Sequence, residues 1–117
     1  MDALLQTIKQ NPTIVEFAHV MAVITEHYDY QATTFYNGLK DDTLKNDAGT
    51  NEGSCKIFAF AQLNQLSEQE TLACFGQYYR QDVLEHPENN DHQNIRHFIK
   101  YGWSGIQFDT FPLTAKA

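Results

Sequence analysis

The chain has 117 residues, 42% of them hydrophobic, with 8 Lys+Arg against 15 Asp+Glu and a formal charge of −7 at pH 7. That length fits one domain, residues 1–117, able to bury roughly two-thirds of the surface its unfolded form exposes without metal or disulfide staples. The basic residues are scattered, which with the acidic balance opposes nucleic acid and anionic membrane as partners, and no apolar run of about 18 residues is present to span a bilayer.

The N-terminus "MDALLQTIKQ" begins acidic and lacks the basic start and continuous apolar stretch of a secretory signal. Two cysteines make no disulfide framework, so a cytoplasmic protein with reduced thiols is expected. "DALLQTIK" reads as a short amphipathic helix, and "NPTIVEFAHVMAVITEHY" as a second one. Thr13 and Glu16 have capping-box spacing there, and Phe17, Val20, Met21 and Ile24 form a core-facing stripe. The aromatic and β-branched residues around Phe35 predict a strand over 33–37, closed by the turn signal Asn37-Gly38. Residues 40–53, "KDDTLKNDAGTNEG", lack an apolar period and read as a loop.

Ser54 is placed to cap the apolar helix "CKIFAFAQLNQL". "SEQETLACFGQYYRQDVLEHP" then predicts one long helix, with Ser67 and Glu70 as a capping box and Leu72, Phe75, Tyr79 and Val83 along one face. Gly76 within that stripe implies close approach of a neighbouring helix. The two helices as an antiparallel hairpin would bring Cys55 and Cys74 within about a turn of each other, as buried free thiols. Asp91 is placed to cap "HQNIRHFIKYGW", with Ile95, Phe98 and Ile99 inward and Gly102 as its end. The alternation of Ile106, Phe108 and Thr110 predicts a strand over 106–110 that pairs with the one near Phe35. Trp103, between them, is expected against the core. The sum is an α+β fold of about five helices, filling more than about 40% of the chain, with a small antiparallel sheet.

The runs "GTNEGSCKIFAFAQL", "CFGQYYRQDVL", "HPENNDHQNIRHFIKYGW" and "GIQF", in that order, resemble the HopJ family of type III effector proteins over most of residues 49–108. Residues 1–48 resemble it more loosely. The resemblance implies a small bacterial protein delivered into a host cell by a type III secretion system. It brings no catalytic residue, substrate or cofactor with it.

Two polar stretches are candidate sites. Around Asn51, Gly53, Ser54, Cys55 and Lys56, free N–H groups at a helix start favour an anion and would lower the Cys55 pKa; alternatively, Ser54 caps the helix and Cys55 is core. The stretch lacks the Gly-Lys-Ser/Thr ending of a phosphate-binding loop. The second contains Tyr79, Arg80, Asp82, His86, Asp91, His92 and Arg96, an acid, imidazole and guanidinium set suited to a carboxylate or phosphate. Its alternative is structural: Asp91 as a cap and Arg80 with Asp82 as an ion pair between helices. His86, His92 and His97 match no zinc spacing, and His19 and His27 are about 12 Å apart along one helix, so no metal and no cofactor are expected. Two functions follow from these residues. One is a binding module for a protein or small anionic ligand; the other is a hydrolase or transferase using Cys55 with a histidine, His92.

Overall fold

Residues 1–116 are described in the computed structural model. Helix α1 (Asp2–Gln10) leads through a 3-10 turn at Pro12–Ile14 into α2 (Phe17–His27). Strands β1 (Tyr28–Tyr30), β2 (Phe35–Leu39) and β3 (Asp42–Asn46) follow, then α3 (Glu52–Leu63) and α4 (Glu68–Ala73). A π-helical turn at Tyr78–Val83 precedes α5 (Gln93–Tyr101), and a 3-10 turn at Gly102–Gly105 leads to β4 (Ile106–Phe108) and β5 (Leu113–Ala115). The fold is α+β and majority helical, with two small antiparallel sheets of order β3-β2-β4 and β1-β5.

The apolar character of α3 places it at the centre. Its Ile57, Phe58, Ala59, Phe60 and Ala61 are all inaccessible to solvent, because helices and sheet cover it on every side. Phe58 packs against Phe35 of β2, Phe75, Phe98 of α5 and Trp103. Trp103 is partly buried against this cluster, as its position between the last helix and β4 predicts. In α2, Val20 and Ile24 are buried while Phe17 and Met21 are half-buried against the core. The strand at 106–108 pairs with β2 as expected, Phe35 opposite Phe108.

Several local expectations are corrected. Asn37 and Gly38 continue β2 rather than turning, and the reversal falls one step later, where Lys40 takes φ +53. The segment read as a loop therefore contains β3, which pairs along its whole length with β2. It carries little apolar signal because only one face of this edge strand is covered. The second sheet, closed by β5 on β1, was not foreseen: the three-residue strand at Leu113–Ala115 is too short to show a period. Glu16, not Thr13, precedes α2 and makes no side-chain cap, because Pro12–Ile14 forms its own turn. The long helix from Ser67 is also interrupted. The Ser67–Glu70 capping box forms, but α4 stops at Ala73. Gly76 then takes φ +60, and a Cβ there would stand 2.8 Å from the Phe17 backbone nitrogen. The close approach is real, although the neighbour is the backbone entering α2. Finally, Ile95 and Phe98 of α5 are buried but Ile99 is 48% exposed, since it lies to one side of the stripe that faces the core.

Candidate functional site

The first candidate stretch is the start of α3. The helix begins at Glu52, so Ser54 is its third residue and not its cap. The residue before it, Asn51, adopts the left-handed conformation at φ 50 and gives no side-chain cap. The first intrahelical bond is from Cys55 N–H to the Asn51 carbonyl, 3.1 Å, which leaves the N–H groups of Glu52, Gly53 and Ser54 without helical acceptors. Gly53 is needed because a Cβ there would stand 2.9 Å from the Phe17 ring. Cys55 points the other way and is 1% exposed. Burial pushes its pKa up to about 11, against a smaller lowering by Tyr30 and Lys56. The Lys56 Nζ lies 4.6 Å over the Tyr30 ring.

The second stretch is rearranged by the break at Gly76. The π-helical turn carries Tyr78 and Asp82 to one side, while buried Tyr79 accepts a hydrogen bond from Gln69 Nε2 at 3.0 Å. Arg80 does not pair with Asp82; its Nη1 donates to the Pro12 carbonyl at 3.3 Å. Asp82 instead accepts from His92 Nε2 at 3.0 Å. Asp91 is not the cap of α5. The N-cap is His92, left-handed at φ 51 and without a side-chain cap, because Asp91 is engaged by Arg96 at 2.7 Å. Arg96 also donates to the carbonyls of Asp91, Pro87 and Asp82, at 2.6, 3.2 and 3.4 Å. It therefore ties down the 82–91 connection and belongs to the framework. His86 is exposed.

The starts of α3 and α5 meet at a cleft of about 470 Å³. Asn51, Gly53 and Ser54 line it from α3, His92, Gln93 and Asn94 from α5, and Lys45 and Asn46 from β3. Phe17, Phe75 and Tyr78 form an aromatic wall. Tyr78 meets Phe17 edge-on at 5.1 Å and lies against the His92 ring at 5.2 Å, so the imidazole is held by a ring on one side and a carboxylate at Nε2. Of the candidate residues, Asn51, Gly53, Ser54 and His92 come together here. Cys55, Lys56, Tyr79, Arg80, Asp91 and Arg96 do not line the cleft.

An amide network supports the cleft from below. Asn51 Nδ2 donates to Asn46 Oδ1 at 2.7 Å, and Asn94 Nδ2 donates to the same oxygen at 2.9 Å. Asn46 Nδ2 returns a bond to Asn94 Oδ1 at 3.2 Å, and buried Asn37 Nδ2 donates to the Asn94 carbonyl at 2.8 Å. These bonds lock β2, β3 and α5 to the residue that opens α3. Asn46, Asn94, Lys45, Phe17 and Tyr78 were missed as site residues. A signal existed for the asparagines, since Asn is depleted in strands and poor inside helices.

Among the described residues no acidic side chain lines this cleft, although the chain has 15 Asp+Glu. Among the described residues, no group of three or more His, Cys, Asp or Glu side chains is placed to hold a metal ion, and no helix is long and apolar enough to cross a membrane. Fold and cleft together define a small α+β domain built round one central helix, with a polar and aromatic recess where two helices start. The model of the HopJ type III effector protein family matches residues 1–113, and the chain belongs to that family. It is also similar to the unknown-function protein VPA0580, whose crystal structure aligns with a TM-score of 0.93 at 53% sequence identity, over 99% of this chain and 93% of that one. No curated protein matches it.

Proposed function

We propose that the protein is a binding module for a small anionic ligand, a phosphate or carboxylate compound, held in the cleft between the starts of α3 and α5. One observation carries this reading: in a chain of net charge −7, the cleft has no acidic lining residue among the described residues and instead gathers Lys45, His92 and the uncapped first turns of two helices. Unsatisfied N–H groups and the positive helix ends favour negative charge, and the two ends add. The left-handed backbone at Asn51 and His92 carries a cost of order 1–2 kcal/mol each, which fits a site whose donors are held in place. Amide chemical-shift titration with inorganic phosphate and with citrate tests it. Saturable shifts at Gly53, Ser54, Gln93 and Asn94, weakened several-fold by Lys45→Ala and by His92→Ala, are expected. Shifts scattered over the surface without saturation would defeat the reading.

A second reading, a hydrolase or transferase using His92, is favoured by the Asp82 carboxylate at its Nε2. A carboxylate only accepts, so the Nε2 proton is fixed and Nδ1 is the nitrogen left for acid–base work. With Cys55 as nucleophile, the start of α3 must open, because the thiol is buried. Rapid alkylation of Cys55 that depends on His92 would favour this reading over simple binding.

A further inference from the structure

The cleft between the starts of α3 and α5 is larger than an inorganic anion needs. At about 470 Å³ it falls in the range of sites that enclose a whole small molecule, roughly 300–1,000 Å³. An anion at the uncapped helix starts leaves the aromatic wall of the same cleft uncovered. Phe17 and Tyr78 of that wall are only half-buried, although both rest on the core. Their ring centroids are 5.1 Å apart and their planes 73° apart, so the two rings make a corner in the wall. Both are held there, Tyr78 by the His92 ring at 5.2 Å and Phe17 by Gly53, where a Cβ would stand 2.9 Å from it.

The shape of the corner says what kind of group fits it. A flat ring set there lies face-on to one side chain and edge-on to the other, the two arrangements that aromatic pairs favour. A flexible hydrocarbon chain gains no such orientation and loses rotamer freedom on burial. Beside the rings, Asn51, Ser54 and Gln93 offer amides and a hydroxyl, which both donate and accept. Such groups match a ring whose edge carries donors and acceptors together, which a nucleobase has and a phenyl ring lacks. The stretch at 49–54 has no Gly-Lys-Ser/Thr ending to cradle a run of phosphates, whereas a single phosphate suits Lys45 and the two helix starts.

We propose that the occupant of this cleft is a nucleoside monophosphate, its base in the Phe17–Tyr78 corner and its phosphate at the helix starts; this rests on the anionic-ligand reading above and adds the base to it. Amide chemical-shift titrations of the full chain with adenosine 5′-monophosphate, uridine 5′-monophosphate, ribose 5-phosphate and adenosine test it. Both nucleotides should bind about tenfold or more tighter than ribose 5-phosphate, because stacking on an aromatic side chain tolerates any base. Adenosine should bind more weakly than its monophosphate. Tyr78→Leu should reduce the preference for nucleotide over ribose 5-phosphate to about twofold or less, and Tyr78→Phe, which keeps the ring, should restore it. Nuclear Overhauser contacts from the base protons to the Phe17 and Tyr78 rings in the wild-type complex give a readout that needs no variant. Equal affinity for the nucleotides and ribose 5-phosphate, a preference indifferent to Tyr78→Leu, or a saturated complex without those contacts would overturn this inference and leave the anionic-ligand reading standing. Adenosine bound as tightly as its monophosphate would overturn both, as would cleft amides that respond to none of the four compounds.

Discussion

Cys55 and Cys74 show how far a side chain's surroundings decide its chemistry. A cysteine in the first turn of a helix beside a lysine has the sequence context of a reactive thiol. Here burial dominates and pushes the two thiols up to about 11 and about 12. Neither is a thiolate near neutral pH, so native protein should be inert to Ellman's reagent at pH 8, and both groups should titrate in guanidinium chloride. Fast release from the folded chain would mean that the start of α3 opens. Asp42 is the opposite case. Its carboxylate accepts from Tyr101 at 2.6 Å, Lys100 at 3.0 Å and His97 at 3.0 Å, which hold it well below the usual carboxylate range. A lowered folded-state pKa means that the unfolded chain takes up the proton first. The stabilisation is therefore present above about pH 4 and is lost as pH falls below that. Urea midpoints of wild type and Asp42→Asn should differ at neutral pH, and the difference should shrink steadily as pH falls below about 4; a constant difference would show that the charge is not responsible.

Among the elements, the break between α4 and the π-helical turn determines the site. The π-helical turn that follows the break presents Tyr78 and Asp82 to His92. Gly76 makes the break through positive φ and through its contact with the Phe17 backbone. Gly76→Ala suffers both penalties and should cost about 2–3 kcal/mol. Gly49 also has positive φ, +88, but no atom lies within 4 Å of a Cβ there. Gly49→Ala should then cost only about 1 kcal/mol, from conformation alone. Equal losses in chemical denaturation would remove the steric part of this account. The hairpin β2-β3 has a similar role for the amide network. Continuing β2 through Asn37 and Gly38 sets Asn37 opposite Leu44 and brings Asn46 opposite Phe35, within reach of α5.

Over the whole molecule, the aromatic cluster round Phe58 joins α3, α5, β2 and the C-terminal connection into one core. Trp103 touches it through Phe98 at 5.0 Å and Phe58 at 6.4 Å, so the native emission should be blue-shifted and should move red on unfolding. That change should coincide with the loss of helical circular dichroism, since one core links the helices to the tail. Native emission matching that of the unfolded chain would place the indole in water, against this packing.

Much of this architecture was legible in the residues. Periodicity identified the apolar α3, the inward faces of α2 and the stretch after Ser67, and the pairing of β4 with β2, because each depends on a repeat several residues long. Local chemistry identified the Ser67–Glu70 box and the end of α5 at Gly102, since capping is a contact between near neighbours. The family resemblance was equally readable from four short runs. The site was only partly so. Asn51, Gly53, Ser54 and His92 were named from composition, but their meeting with Lys45, Asn46 and Tyr78 required the chain to be folded. The partners exchanged by Asp82, Asp91 and Arg96, the burial of Cys55 and the exposure of Ile99 are likewise tertiary facts. A charge pairs with whatever the fold brings within about 4 Å, and a thiol's acidity follows the water left around it. The sequence by itself determined the apolar central helix, the stretches that carry α1, α2 and α5 and the family to which the chain belongs; only the tertiary structure decided where the helix from Ser67 breaks and which polar groups share a cleft, because both depend on contacts between segments far apart along the chain.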